Sequence, residues 1–204
     1  MKKGKIYLVG TGMADEDLSS RARERIHNAD LLVGAQRLLE RFSGARAKKI
    51  EIKSDINRLI NLLQKECEGR KTVVLASGDP NFFGIAHRFY TAFPHARLEV
   101  MPNVTAFQAA FARIHQPWEN ALFVSVHGRA LACLDRIARK NGTFVIYCDG
   151  VNNPSEVSRY LTDRSPWLKN AKTWIFEDMG LSSERITSSR LGRLSGKKWS
   201  SLSM

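Results

Sequence analysis

Cysteine is scarce in this chain, with three residues among 204. Cys67, Cys133 and Cys148 are odd in number and form no C-x-x-C pair, which excludes a disulfide framework and a zinc knuckle and leaves buried, reduced thiols as the expectation. Long apolar runs are missing as well. The greasiest stretches, such as residues 121–126, break within a few positions, far short of the ~18 residues that span a bilayer, so no membrane segment is expected. Met1-Lys2-Lys3 is followed only by Ile6-Tyr7-Leu8-Val9 before Gly10, too short for the ~7–15-residue apolar region of a secretory signal, and a cytoplasmic protein is expected. Fourteen glycines and six prolines exclude collagen and low-complexity disorder. There is no Gly-Lys-Ser/Thr phosphate cradle and no Gly-x-Ser-x-Gly nucleophile elbow. Acidic residues are also few, 20 against 32 lysines and arginines, leaving a net charge of +12. That charge attracts a polyanion without saying which one. A nucleic-acid-binding module would gather the basic residues on one stripe, whereas they spread from Arg21 to Lys198; a polycarboxylate small molecule is equally compatible.

What is present is an alternation of β-rich and helical segments. Strands are expected at 5–9, 30–33, 49–52, 72–76 and 97–101, the fourth apolar throughout, as in a parallel sheet buried on both faces. Between them the spacing predicts helices: Leu18, Ala22 and Ile26 on one, residues 35–42 as another, Ile56, Leu59, Leu63 and Cys67 on a third capped by Asp55, and 83–92 as a fourth. Pro102 and Pro117 bracket a helix, after which the rhythm restarts with strands at 121–126, 142–148, 172–177 and 185–189. Helices are expected at 131–139 and from Asn153-Pro154 onward, the latter with a cap and a first-turn proline. The expected fold is two consecutive α/β domains with mainly parallel sheets, residues 1–114 and 115–204.

Three strand ends carry the chemistry. Gly10-Thr11-Gly12 follows the first strand but fails as a dinucleotide fingerprint, because Asp15 replaces the third glycine and Asp30 stands at the start of its strand; a nicotinamide oxidoreductase is disfavoured. Ser77-Gly78-Asp79-Pro80 brings a glycine, an acid and a stiff turn to the same sheet edge, as either a ligand loop or a capped β-to-α turn. Ser125-Val126-His127-Gly128-Arg129 ends a strand in the second half. Ser125 and His127 on an extended strand do not form a dyad, but His127 could be a base and Arg129 a carboxylate clamp.

Together, Val9-Gly10-Thr11-Gly12, Leu75 to Gly84, Pro102-Asn103-Val104-Thr105-Ala106 and Ser125 to Arg129 resemble the tetrapyrrole methylase family, in its cobalamin-pathway branch acting at carbon 5. One departure is Met13-Ala14-Asp15, where the family usually has Pro-Gly-Asp. The resemblance implies S-adenosylmethionine held in the cleft between two α/β domains of a homodimer, with methyl transfer to a meso carbon of a polycarboxylate corrinoid. It implies no metal and no covalent nucleophile, since positioning supplies most of the catalysis. Carried over by motif, Gly78, Asp79, Phe82, Thr105 and Ala106 would bind the cofactor, with Met13 a weaker member, while His127 and Arg129 would face the macrocycle. Members of the branch end the second domain with a strand after an aromatic residue. Trp199 to Met204 resembles the lead-in to it, so the C-terminal domain is expected to lack its last strand, and a longer bifunctional protein acting also at carbon 15 is one form this implies. The alternative is a loose basic tail.

Overall fold

A computed structural model of the chain describes residues 4–53 and 55–204. It divides into two compact units between Thr105 and Ala106, whereas the sequence puts the join between 114 and 115. Phe107 accounts for the difference: its ring lies 5.1 Å from Trp118 and 4.6 Å from Phe123, so the helix that opens at Ala106 packs against the segment C-terminal to it.

The first unit alternates strand and helix: β1 (Ile6–Gly10), α1 (Ser20–His27), β2 (Leu31–Gly34), α2 (Gln36–Arg41), β3 (Lys48–Glu51), α3 (Ile56–Glu66), β4 (Thr72–Ala76), α4 (Ala86–Ala92) and β5 (Leu98–Met101). The strands form one parallel sheet in the order β3-β2-β4-β1-β5. Every residue of β1 and β4 is buried, which is why these segments show no polar alternation. Successive side chains pack into two layers. Tyr7, Val9, Leu32 and Leu75 meet Ala22 and Ile26 of α1 and Leu38 of α2, while Ile6, Leu8, Val33 and Val74 meet Leu59 and Leu63 of α3 and Phe89 of α4. Helices α1 and α2 therefore cover one face and α3 and α4 the other. The direction of winding reverses between the neighbours β1 and β4, and in open α/β sheets ligands bind outside the carboxyl ends of the strands at such a point.

Side-chain caps open α3 and α1, at Asp55 as the sequence led one to expect and at Ser19 in addition. Ser19 Oγ accepts from Ala22 N at 3.1 Å, and Asp55 Oδ1 from Arg58 N at 2.9 Å. The helix expected from 83 starts instead at Ala86. Phe83 takes a left-handed φ of 49°, and Ala86 N donates to Pro80 O at 3.0 Å, so the segment after Asp79 is spent on a compact loop.

The second unit contains α5 (Ala106–Arg113), β6 (Leu122–Ser125), α6 (Asp135–Ala138), β7 (Phe144–Tyr147), α7 (Pro154–Arg164), β8 (Lys172–Glu177) and β9 (Arg185–Arg190). Here β6 and β7 pair in parallel, and β8 and β9 pair antiparallel. The continuous helix expected over 131–139 is a 3₁₀ segment, Leu131–Leu134, followed by the single turn α6. Its buried residues are Leu134, Ile137 and Ala138, the apolar side that packs into the core of this unit. Asn153 Oδ1 caps α7 by accepting from Ser155 N and Glu156 N. No helix among the described residues is long and apolar enough to cross a membrane.

Phe89 is fully buried and stacks on Phe93 with ring centroids 5.6 Å apart. Phe89→Ala should cost roughly 3–5 kcal/mol, lowering the denaturation midpoint at unchanged m-value. A loss below about 1 kcal/mol would show that this layer closes over the vacated space instead of keeping a cavity.

Candidate active site

The carboxyl edge of the first unit is built by glycine backbones lying against one another. Thr11 N and Thr11 Oγ1 both donate to Ala76 O, at 2.8 and 3.1 Å, and Gly78 N donates to Gly12 O at 3.3 Å, so the loops after β1 and β4 are zipped together. A Cβ on Gly10 would lie 2.4 Å from Gly78 O and 2.9 Å from Asn103 Cβ; no side chain fits there. Gly12 and Gly78 hold left-handed φ values of 63° and 61°. A Cβ on Gly78 would come within 3.5 Å of Thr105 Cα, which brings the loop after β5 to the same edge.

Polar side chains fix this framework. Asn103 Nδ2 donates to Gly10 O at 3.0 Å and Asp17 O at 3.2 Å, while its Oδ1 accepts from Val104 N at 2.8 Å. Asp17 Oδ2 accepts from Met13 N at 2.7 Å and Ala14 N at 2.9 Å, shaping the loop that departs from the family pattern. Asp79 Oδ1 accepts from Asn81 N at 2.7 Å, an Asx-type turn. The Phe82 ring sits edge-on to Phe83 at 4.8 Å. Thus Gly78, Asp79, Phe82, Thr105 and Met13 all stand in loops of one sheet edge.

Ala106, His127 and Arg129 belong to the second unit. Ala106 opens α5, and the next amide, Phe107 N, donates to Tyr147 Oη at 3.0 Å. Burial pushes the Tyr147 phenol well above its ordinary pKa despite that hydrogen bond, so it remains neutral. His127 and Arg129 are exposed on the loop after β6, where Gly128 has φ 62°. His127 Nδ1 lies 3.4 Å from Cys148 O; donating there requires a proton on Nδ1 and leaves Nε2 as the acceptor. Burial, and secondarily the charge of Asp149, raises the Cys148 thiol to about 12, which keeps it protonated and unreactive.

Asp149 organises this loop. Its Oδ2 accepts from Gly128 N at 2.7 Å, and its Oδ1 from Val151 N at 2.8 Å and Asn152 N at 2.6 Å. Asn152 Nδ2 adds bonds to Val126 O at 2.9 Å and Arg129 O at 2.8 Å. Burial pushes the Asp149 pKa upward, but the three backbone N–H groups and the His127 charge outweigh it, and the carboxyl titrates below its ordinary value. Asp17, Asn103, Tyr147, Asp149 and Asn152 were not among the site residues expected from sequence. The signal available was weak: Asn103 and Asp149 each stand two residues past the end of a strand, where a short polar side chain can bond nearby backbone.

An open parallel sheet with glycine-framed loops at its point of reversed winding defines an α/β ligand-binding protein. The chain belongs to the Tetrapyrrole (Corrin/Porphyrin) Methylases, whose family model matches residues 5–195, and it is a methyltransferase. It is 29% identical to a probable cobalt-precorrin-7 C(5)-methyltransferase of Methanocaldococcus jannaschii, over 98% of this chain and 95% of that protein. It is 28% identical to the cobalt-precorrin-7 C(5)-methyltransferase of Salmonella typhimurium, over 89% and 88%. In fold it is similar to the uroporphyrin-III C-methyl transferase of Thermus thermophilus complexed with S-adenyl homocysteine, with a TM-score of 0.76 at 23% identity over 94% of this chain and 90% of that one. It is likewise similar to the precorrin-6Y methylase of Archaeoglobus fulgidus, with a TM-score of 0.73 at 19% identity over 96% and 94%.

Asp149→Asn keeps one acceptor oxygen but replaces the other with a donor, so Gly128 N–H should lose its partner and exchange faster with solvent. The wild type should show the same loosening in acid. The depressed pKa makes the loop's support complete above the unfolded carboxylate value of ~3.9 and lost as pH falls through the lower folded value. The Gly128 amide resonance followed against pH checks this; a midpoint above ~4 would show that Asp149 does not control the loop.

Proposed function

We propose that the protein transfers a methyl group from S-adenosylmethionine to carbon 5 of a precorrin-7 or cobalt-precorrin-7 ring in cobalamin biosynthesis. The observation that carries this reading is the glycine-framed edge at the β1/β4 reversal, where Gly10, Gly12 and Gly78 leave backbone where side chains would otherwise stand. The near full-length similarity to two proteins named cobalt-precorrin-7 C(5)-methyltransferase supports the substrate.

The residues fit the cofactor. A glycine in left-handed geometry beside Thr105 suits close approach of a nucleoside, and the edge lacks the Gly-Lys-Ser/Thr cradle of a phosphate ligand. Gly78, Asp79, Phe82 and Thr105 would hold it, joined by Ala106 and Met13. When bound, S-adenosylmethionine supplies a methyl group already activated on a sulfonium. Arg129 offers a planar guanidinium to a ring carboxylate, and Asn152 and Asp149 hold the backbone that carries it. His127 accepts at Nε2 the proton released after methylation, the tautomer favoured by its Nδ1 contact. A net charge of +12 suits capture of a polycarboxylate ring. The reading excludes nucleic acid as the partner and, following the family, includes a cytoplasmic homodimer, the latter testable by sedimentation equilibrium.

Calorimetry with S-adenosylhomocysteine should give one site per chain, and the absence of heat with folded protein would overturn the reading. Asp79→Ala should weaken binding by about 10–100-fold, the range of a hydrogen bond involving charge. Asp79→Asn, which keeps the turn at Asn81, separates loss of charge from loss of the loop; unchanged affinity in both variants would remove Asp79 from the site. Arg129→Ala should raise KM for the corrinoid by about tenfold or more with cofactor affinity unchanged. An equal loss in both would move Arg129 to the cofactor.

A further inference from the structure

Helix α2 follows β2 after one residue, Ala35, so its first turn stands at the carboxyl edge of the first sheet, where β2 is the neighbour of β4 on the side away from β1. Leu38 and Leu39 are buried against Leu32 and Leu75 of the sheet, which leaves Gln36, Arg37 and Glu40 in solvent and Arg41 partly covered. Arg37 and Arg41, four residues apart, lie on one side of the helix. Their guanidinium groups are held very differently. Arg41 Nε and Nη2 donate to Asp15 Oδ1 at 2.9 and 2.5 Å, which fixes this arginine to the loop after β1. Arg37 has a neutral partner, its Nη2 donating to Ser77 Oγ at 3.5 Å, the outer limit of a hydrogen bond.

The acids within reach of Arg37 are engaged elsewhere. Glu40, three residues along the same helix, accepts instead from Gln36 Nε2 at 2.9 Å, and Asp15 serves Arg41. Among the described residues no carboxylate pairs with Arg37. A guanidinium carries five N–H groups, so most of its donors have no partner in the protein. An exposed arginine is ordinarily a solvated surface charge. Arg37 differs from one in its place, because Ser77 immediately precedes Gly78 and the cation is thereby tethered to the loop that frames the glycine edge.

We infer that Arg37 binds a carboxylate arm of the ring substrate beside the glycine frame, an assignment that rests on the methyl-transfer reading. Its position separates the ring from the cofactor as the source of that carboxylate. Gly10, Gly12, Gly78 and Thr105 gather at the ends of β1, β4 and β5, whereas Arg37 comes from the end of β2. Strands β2 and β1 stand two places apart in the sheet, roughly 10 Å at the usual spacing of ~4.8 Å. A nucleoside in the frame is therefore flanked by Arg37 and does not rest on it. A polycarboxylate ring has more arms than Arg129 alone can serve. On binding, the long neutral contact to Ser77 is exchanged for two parallel, charge-assisted N–H···O bonds, and until then Ser77 keeps the guanidinium beside the loop.

Steady-state methylation of cobalt-precorrin-7, with calorimetry against S-adenosylhomocysteine, tests this on the full chain. Arg37→Ala should raise KM for the ring about tenfold while kcat and the Kd for S-adenosylhomocysteine stay unchanged. Arg37→Glu should raise KM further, because it sets like charge against the arm. Arg58→Ala removes the same charge from an exposed site on α3, the helix layer of the opposite sheet face, and should leave KM within about twofold of the wild type. That control separates local binding from steering by net charge. An unchanged KM in Arg37→Ala, a rise in Arg58→Ala equal to it, or a smaller effect of glutamate than of alanine would overturn the assignment. So would a matching loss of S-adenosylhomocysteine affinity, which would place Arg37 on the cofactor. A wild type that leaves the ring unmethylated overturns instead the reading on which the assignment rests.

Discussion

Backbone-to-backbone contact between the loops after β1 and β4 is the constraint on which the glycine-framed edge of the N-terminal unit depends. Gly10 cannot carry a side chain because Gly78 O would lie 2.4 Å from it, and Gly12 and Gly78 must sit at positive φ for the strands to part. Thr11 locks the arrangement by giving both its N–H and its hydroxyl to Ala76 O. The consequences run outward. The edge is lined with backbone groups, the departure of Met13-Ala14 from the family pattern is absorbed because Asp17 takes both amides, and Asn103 ties the third loop to the first. A methyl transfer that relies on positioning needs such a rigid frame more than it needs an acid or a base.

The second unit solves the same problem with side chains. Its loop after β6 carries His127 and Arg129 on the surface, so the order of its backbone must come from hydrogen bonds. One carboxylate and one carboxamide, Asp149 and Asn152, between them take or give five bonds to backbone around the loop. A charged acceptor serving three N–H groups is stronger than neutral ones would be, and it stays ionised because those same donors hold its pKa down.

The α/β alternation of the first unit was legible because burial on both faces leaves a plain mark: Thr72 to Ala76 has no polar interruption, and Ile56 to Glu66 has a single apolar stripe behind an Asp cap. Legibility failed where the same spacing suits more than one local backbone arrangement. Residues 83–85 have helical spacing but are drawn into a loop by Pro80 O, and 131–138 splits between two helix types. The glycine and acid of Ser77-Gly78-Asp79 stood out from the residues alone, while Asn103 and Asp149 did not, since their partners lie in other segments.

The amino-acid order by itself determined most of the strands and helices, where the chain turns sharply, and the glycine-bearing strand ends, because apolar periodicity, caps and glycines act over a few residues. Tertiary structure alone decided that β1 and β4 are neighbours and that Phe107 draws its helix into the second unit. Those outcomes rest on contacts between residues far apart in the chain, whose partners are settled only when whole layers pack and every buried N–H and C=O must find one.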